Sequence, residues 1–130
     1  MKIYLAHSRE FDFRKELYIP IRNSDLNLRH RFILPHEESG EPFSSRKFIA
    51  TCDLVIAEVS FPSTGMGIEL GWANAEAVRI ACIHKNGVGI SPSLAPVAIR
   101  VVSYANATDM VRKIKRVLAT LGRRETDEYH

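Results

Sequence analysis

Cysteine is scarce in this 130-residue sequence: there are two, Cys52 and Cys82, and they form no C-x-x-C pair. That excludes a disulfide framework and a cysteine-rich metal module. Each adjoins or lies in an apolar segment, the setting of a buried free thiol. The five histidines (His7, His30, His36, His84, His130) show no His-x-x-x-His or other ligand spacing, so no metal and no cofactor are expected. No apolar run approaches the roughly 20 residues of a membrane helix. The apolar stretch Ile3–Ala6 is too short for a signal-peptide core, and a cytoplasmic protein is the expectation. Charge of one sign is also lacking: 18 Lys and Arg against 15 Asp and Glu leave a net +3. The excess sits late, at Arg112, Lys113, Lys115, Arg116, Arg123 and Arg124. With no aromatics interleaved, these read as the solvated face of a last helix and a polar tail, not as a nucleic-acid stripe.

What is present is the balance of an ordinary folded domain, 45% apolar and 25% charged. The length suits one core and not two. Short apolar runs alternate with longer helical patterns. Strands are expected at Ile3–Ala6, Phe32–Leu34, Leu54–Val59, Ile80–Ile83 and Ile99–Ser103. Helices are expected over Phe13–Leu26, broken or restarted by Pro20, over Ser44–Cys52, over Gly65–Arg79 and over Ala107–Leu121, where Gly122 is the expected stop. A Gly/Pro/Ser-rich loop fills 84–97. The expected domain is 1–122, followed by a polar tail at 123–130. Leu54–Val59 is almost continuously apolar, as strands covered on both faces are. The alternation predicts an α/β fold, three-layered and flavodoxin-like (Rossmann-like), with a five-stranded parallel sheet and helices on both faces. Ligands of such sheets bind beyond the carboxyl ends of the strands, which nominates His7–Asp12 and Ser60–Glu69.

The second of these segments carries the chemistry. Ser60-Phe61-Pro62-Ser63-Thr64-Gly65-Met66-Gly67-Ile68-Glu69-Leu70-Gly71 places hydroxyls and two glycines before a helix. One reading is an anion cradle, because backbone N–H groups and a helix N-terminus attract negative charge. The other is that Gly65 and Gly67 only shape a tight turn. The spacing is G-x-G-x-x-x-G, one residue longer than the dinucleotide fingerprint, and no Gly-Lys-Ser/Thr of a P-loop follows. Glu69 is placed near the first helical turn, flanking a stripe of Met66, Leu70, Ala73 and Ala77, beside Glu76. It is either a solvated flank or a carboxylate aimed into the ligand crevice. Burial alone would raise its pKa by roughly 3–5 units and neutralise it, while the helix dipole offers only about 0.3–1 kcal/mol in return. A desolvated Glu69 therefore needs a further donor. Tyr4 qualifies if its strand neighbours the third; otherwise it is an ordinary strand aromatic.

The string Ala57-Glu58-Val59-Ser60-Phe61-Pro62-Ser63-Thr64-Gly65-Met66-Gly67-Ile68-Glu69-Leu70-Gly71-Trp72-Ala73, with Ile3-Tyr4-Leu5-Ala6-His7-Ser8 and Asp53, resembles the nucleoside 2-deoxyribosyltransferase superfamily. It is most similar to the branch of 2′-deoxynucleoside 5′-monophosphate N-glycosidases. The resemblance implies that Glu69 is the carboxylate that attacks the anomeric carbon and that Tyr4 holds it. It further implies that Ser8 and Ser63 bind a 5′-phosphate, the latter where the nucleoside branch has Asp. His36 would lie near the base. Ser93, or Ser91, would complete a neighbouring subunit's site in a homodimer or larger homo-oligomer.

Two positions depart from the family. The Asp eight residues before the equivalent of Asp53, which helps protonate the departing base, is Ser45 here. Glu37, Glu38 and Glu41 are the carboxyls that could replace it. Position 7 is His where the family has Gly; it is either a donor to phosphate or base, or a surface loop histidine. The expected function is cleavage of the N-glycosidic bond of a nucleoside 5′-monophosphate or nucleoside, by hydrolysis or by transfer of the deoxyribosyl group. The alternative is a catalytically weak nucleotide-binding or sensing module. A small-molecule partner is expected, with no nucleic acid and no membrane.

Overall fold

A computed structural model describes residues 1–37 and 45–128. Five strands, β1 (Lys2–His7), β2 (Arg31–Ile33), β3 (Leu54–Glu58), β4 (Arg79–Lys85) and β5 (Arg100–Tyr104), form one sheet in the order β2-β1-β3-β4-β5. Every neighbouring pair is parallel. The expected α/β three-layer fold is the observed one.

The period-2 alternation of the strands sorts side chains to two cores. Ile3, Leu5, Leu54, Ile56, Ala81 and Ile83 face one side. There they meet Leu17, Ile21 and Leu26 from the first helical segment, and Met110, Ile114 and Val117 of α5 (Ala107–Glu128). Tyr4, Ala6, Val55, Ala57, Ile80 and Cys82 face the other side, against Ile49 of α3 (Ser45–Ala50) and Met66, Leu70 and Ala73 of α4 (Thr64–Ala75). Both cysteines are buried and free. No described helix is long and apolar enough to cross a membrane.

The helix expected over Phe13–Leu26 is three short pieces. A π-helical turn, Arg14–Tyr18, runs into α1 (Ile19–Arg22), and α2 (Leu26–Arg29) follows. Proline explains the wide turn: Pro20 has no N–H to give the carbonyl of Glu16, and its ring crowds that oxygen. The N–H of Ile19 reaches back five residues to Arg14 instead.

Two expected helix ends are corrected. The helix predicted to run to Arg79 stops at Ala75, because Ala77 takes φ 57°. The N–H of Val78 closes the end on the carbonyl of Ala73 at 2.9 Å, the left-handed C-terminal closure usually given to glycine. Ala77 is exposed and takes no part in the inward stripe, and Arg79 begins β4. In contrast, α5 passes through Gly122 and continues to Glu128. One glycine costs a helix only about 1 kcal/mol, less than the buried face of α5 contributes. Its late cations are partly engaged: Arg112 pairs with Asp109 at 2.6 Å, Lys115 pairs with Asp25, and Lys113 donates to the carbonyl of Ser103 at 2.6 Å.

A left-handed alanine carries a steric cost that glycine does not. Ala77→Gly is therefore expected to stabilise the fold by about 0.5–1 kcal/mol, read as a higher urea midpoint at unchanged slope.

Candidate active site

In this strand order the winding direction reverses between β1 and β3, so the crevice opens where those two strands end. The segments that follow them are the two nominated by the sequence. Tyr4 sits in the middle of β1, paired with Val55 of β3 and Ile33 of β2. Strand alternation sends its ring to the α4 side, where it is 1% exposed. Its hydroxyl donates a short hydrogen bond to Oε2 of Glu69.

Glu69 lies in the second turn of α4, whose first turn carries no acid. This corrects the expected placement, and it takes Glu69 away from the strongest part of the helix dipole. Burial pushes its pKa up; the hydrogen bonds from Tyr4 and Ser45 pull the other way. Burial and the adjacent Glu69 charge hold the Tyr4 phenol well above its ordinary value, so it stays a proton donor. Ser45, the first residue of α3, has its hydroxyl near both groups, where it favours the charged form of each. The structure thus brings Tyr4, Glu69 and Ser45 together. Glu69 is not the solvated flank; Glu76, two helical turns on, is exposed and pairs with Arg46 at 3.9 Å.

Beyond this trio a cleft of about 490 Å³ is lined by Ser8, Arg9, Glu10, Pro62, Ser63, Thr64 and Gly65. Ser8 is buried, and its Oγ accepts the N–H of Glu10 at 3.1 Å. Ser63 caps α4, its Oγ accepting the N–H of Met66 at 3.3 Å. Among the described residues neither hydroxyl gives its proton to an acceptor, so both can donate to a ligand. The glycines form no tight turn. Gly65 and Gly67 are helical residues of the first turn of α4 without positive φ. Only Gly65 lines the cleft; Gly67 is exposed with open space at its Cβ position. Sequence reasoning passed over Arg9, an exposed residue that is the one cation among those lining this cleft, next to the acid Glu10. Its position beside Ser8 was the available signal.

His7 is neither a loop histidine nor a free donor. It is the last residue of β1 and 5% exposed. Nδ1 lies 2.7 Å from the carbonyl of Ser8 and Nε2 lies 2.7 Å from the hydroxyl of Tyr18. The carbonyl can only accept, so the ring carries its proton on Nδ1 and accepts from Tyr18 at Nε2. The Tyr18 hydroxyl in turn accepts the N–H of His36 at 3.1 Å. Tyr18 was not singled out by sequence; it looked like one more apolar residue of a helix. Burial takes the His7 pKa down to about 4 and that of Tyr18 up to about 12. The His36 ring stands edge-on to His7 at 5.6 Å, and its Nδ1 is buried without a hydrogen-bond partner among the described residues.

Other nominated residues lie elsewhere. Glu37 is held by Arg22 through two 2.8 Å hydrogen bonds, which keep its carboxyl below the usual range and make it a poor acid. Glu38 and Glu41 lie outside the described residues. Ser91 and Ser93 are exposed in the loop before β5, where the Oγ of Ser91 accepts the N–H of Ser93. Neither lines the Ser8–Ser63 cleft. Asp53 accepts the N–H of Lys2 at 2.7 Å and clips β3 to β1 at the end of the sheet remote from the crevice. Among the described residues no group of three His, Cys, Asp or Glu could hold a metal ion.

No family model matches the sequence, and no curated protein does. Among solved structures the chain is similar to the Clostridium botulinum CMP N-glycosidase BcmB. The TM-score is 0.62 at 21% identity, over 88% of this chain and 99% of that one. At that identity the likeness shows a shared fold.

His7 binds its proton less tightly in the folded chain than the 6.5 of an unfolded one, so unfolding takes up a proton below that pH. Its contribution is fully present above about pH 6.5 and is lost as pH falls toward 4. At about 1.4 kcal/mol per unit this is on the order of 3 kcal/mol. The expected result is a steep acid limb in thermal stability between these values, flattened in His7→Gln.

Proposed function

We propose that this protein cleaves the N-glycosidic bond of a nucleoside 5′-monophosphate, with Glu69 as nucleophile, and that it belongs to the superfamily its sequence resembles. One observation carries the reading: a half-buried carboxyl bonded by Tyr4 stands one helical turn beyond Gly65, which lines a cleft shared by the hydroxyl residues Ser8, Ser63 and Thr64, by Arg9 and by Glu10. Carboxylate, sugar and phosphate fit that layout in this order. The shared fold with a CMP N-glycosidase supports the same substrate class.

In this mechanism an oxygen of Glu69 attacks C1′ as the C1′–N bond breaks, and that electron pair leaves with the base. A glycosyl ester forms. Water then attacks C1′ and releases Glu69, with retention at the anomeric centre. Tyr4 and Ser45 hold the carboxylate oxygens in place and keep it ionised against the cost of burial. Ser8, Ser63 and Arg9 bind the phosphate. An Asp at 63 would repel it, whereas Ser63 donates.

Departure of the base needs a proton. Ser45 is no acid at neutral pH and Glu37 is committed to Arg22. Acid assistance is typically worth about 10²–10⁴-fold, so the reaction is expected to be slow, with water protonating the base. The same deficit sustains a second reading, a nucleotide-binding or sensing module in which bound nucleotide is not cleaved. Water is the acceptor in the leading reading, and a second base is the acceptor in a transferase. A neighbouring copy in a homo-oligomer would supply Ser93 or Ser91, both exposed.

The test is incubation with a panel of nucleoside 5′-monophosphates and nucleosides, with free base measured by chromatography. Base release from the monophosphates is expected, and Glu69→Gln should abolish it while leaving binding by calorimetry within a few-fold. Binding without release in the native protein selects the sensing module; undiminished turnover in Glu69→Gln removes Glu69 from the reaction. Because burial raises the pKa of Glu69 and attack needs its ionised form, kcat/KM should fall with pH at values above the usual carboxylate range. A pH profile locates this limb; a midpoint near pH 4 would place the ionising group in open solvent.

A further inference from the structure

Beneath the segment that carries Ser63 lies a carboxyl group which the proposed reaction does not use. Glu58, the last residue of β3, is fully buried. It pairs with His7 of β1 and Ile83 of β4 in the sheet, and faces the side away from Glu69. Ion pairs among the described residues do not include it. Burying a carboxylate without a cation costs several kcal/mol unless other bonds replace its water. Here three donors do. Oε1 accepts the N–H of Ser60 at 2.6 Å, and Oε2 accepts the Ser60 hydroxyl at 3.0 Å and the Tyr104 hydroxyl of β5. The Ser60 Oγ also accepts the N–H of Lys85, at the end of β4, at 2.8 Å. One side chain thus ties the first residue of the crevice segment to three adjacent strands.

The consequences run along the chain. Phe61 stacks on Phe11 of the first loop, with ring centres 5.0 Å apart, and Lys85 lies over both rings at 5.4 Å. Pro62 leaves little freedom before Ser63, which caps α4. Fixing Ser60 therefore fixes Ser63 on one wall of the cleft and, through the Phe pair, the loop bearing Ser8 and Arg9 on the other. A carboxylate is required for this, because three donors converge on it. A Gln offers one acceptor oxygen and adds donors, leaving buried hydroxyl protons without acceptors.

We propose that Glu58 is a positioning residue for phosphate recognition: its clamp on Ser60 sets the spacing between the Ser63 and Ser8 walls of the cleft. This rests on the nucleotide reading above and extends it to a residue that touches no substrate. The clamp should affect the phosphate end of the ligand and leave Glu69 alone, since Glu69 is held from the opposite face of the sheet by Tyr4 and Ser45.

The experiment compares cytidine 5′-monophosphate with cytidine, in kcat, KM and calorimetric Kd, for the native protein, Glu58→Gln and Tyr104→Phe, with Ser63→Asp as a control that damages the phosphate wall directly. Glu58→Gln is expected to weaken binding of the monophosphate about tenfold or more, the effect of losing one charge-assisted hydrogen bond from a displaced cleft wall to the phosphate. Affinity for cytidine should stay within about two-fold, so the preference for the phosphorylated ligand collapses. Tyr104→Phe removes one donor of three and should shift the preference in the same direction by less. An unchanged preference in a folded Glu58→Gln overturns the proposal, as does an equal loss on both ligands, which is the mark of a merely structural role. If Glu58→Gln does not fold, Tyr104→Phe and Ser60→Ala decide by the same ratio. If the native protein releases no base, the enzymatic reading fails, and the Kd ratio still tests the clamp. A native protein that binds the monophosphate no better than cytidine overturns the clamp as well.

Discussion

A carboxyl group taken out of water must be given donors or lose its charge, and the crevice is organised around that constraint. Glu69 and Glu58 are two solutions to it on opposite faces of one sheet. Glu69 receives Tyr4 and Ser45 and remains beside the cleft. Glu58 receives Ser60 twice and Tyr104, and is closed off. The strand order makes both possible. With β1 beside β3, Tyr4 lies one strand away from the segment that leads into α4, and its ring is long enough to span the gap.

The two faces divide the work. On the α4 side, Tyr4, Ser45 and Glu69 form the group that would meet a sugar. On the α5 side, His7, Tyr18, Glu58, Ser60 and Tyr104 are buried polar groups, each with a partner. A buried polar group with all its bonds made defines one arrangement, because any shift leaves a donor or acceptor bare. That rigidity reaches the cleft walls through Ser8, whose carbonyl meets His7, and through Ser60. His36 is the exception, with Nδ1 unpartnered among the described residues.

The departures from the resembled family gain physical content from these contacts. His7, where the family has Gly, fills no ligand pocket; its ring turns toward the α5 side and is bonded to Tyr18. Ser45, where the family has Asp, favours the charged form of Glu69 without adding a second negative charge beside it. Glu37, the one described residue of the three carboxyls expected to fill that role, is held by Arg22.

Much of the fold was legible because periodicity is a local property. Apolar runs at Leu54–Val59, interrupted only by Glu58, and at Ile80–Ile83 mark strands covered on both faces, and the 3.6-residue spacing of Met110, Ile114, Val117 and Leu121 marks α5. The Ser63-to-Glu69 segment announced itself by its glycines and hydroxyls. What sequence could not give was closure by partners distant in the chain. The helix end at Ala75 was settled by a left-handed Ala77, and α5 runs on through Gly122, against the glycine-based expectation of a stop there. The burial of His7, the place of Tyr18 on a proline-widened turn, Arg9 in the cleft and the Glu58 clamp all depend on which strands lie side by side. Sequence determined the layers and the candidate carboxylate, since hydrophobic spacing and residue type are written along the chain. Tertiary structure alone decided which buried oxygen meets which donor, because hydrogen bonds between residues 65 and 46 positions apart exist only once the sheet has formed.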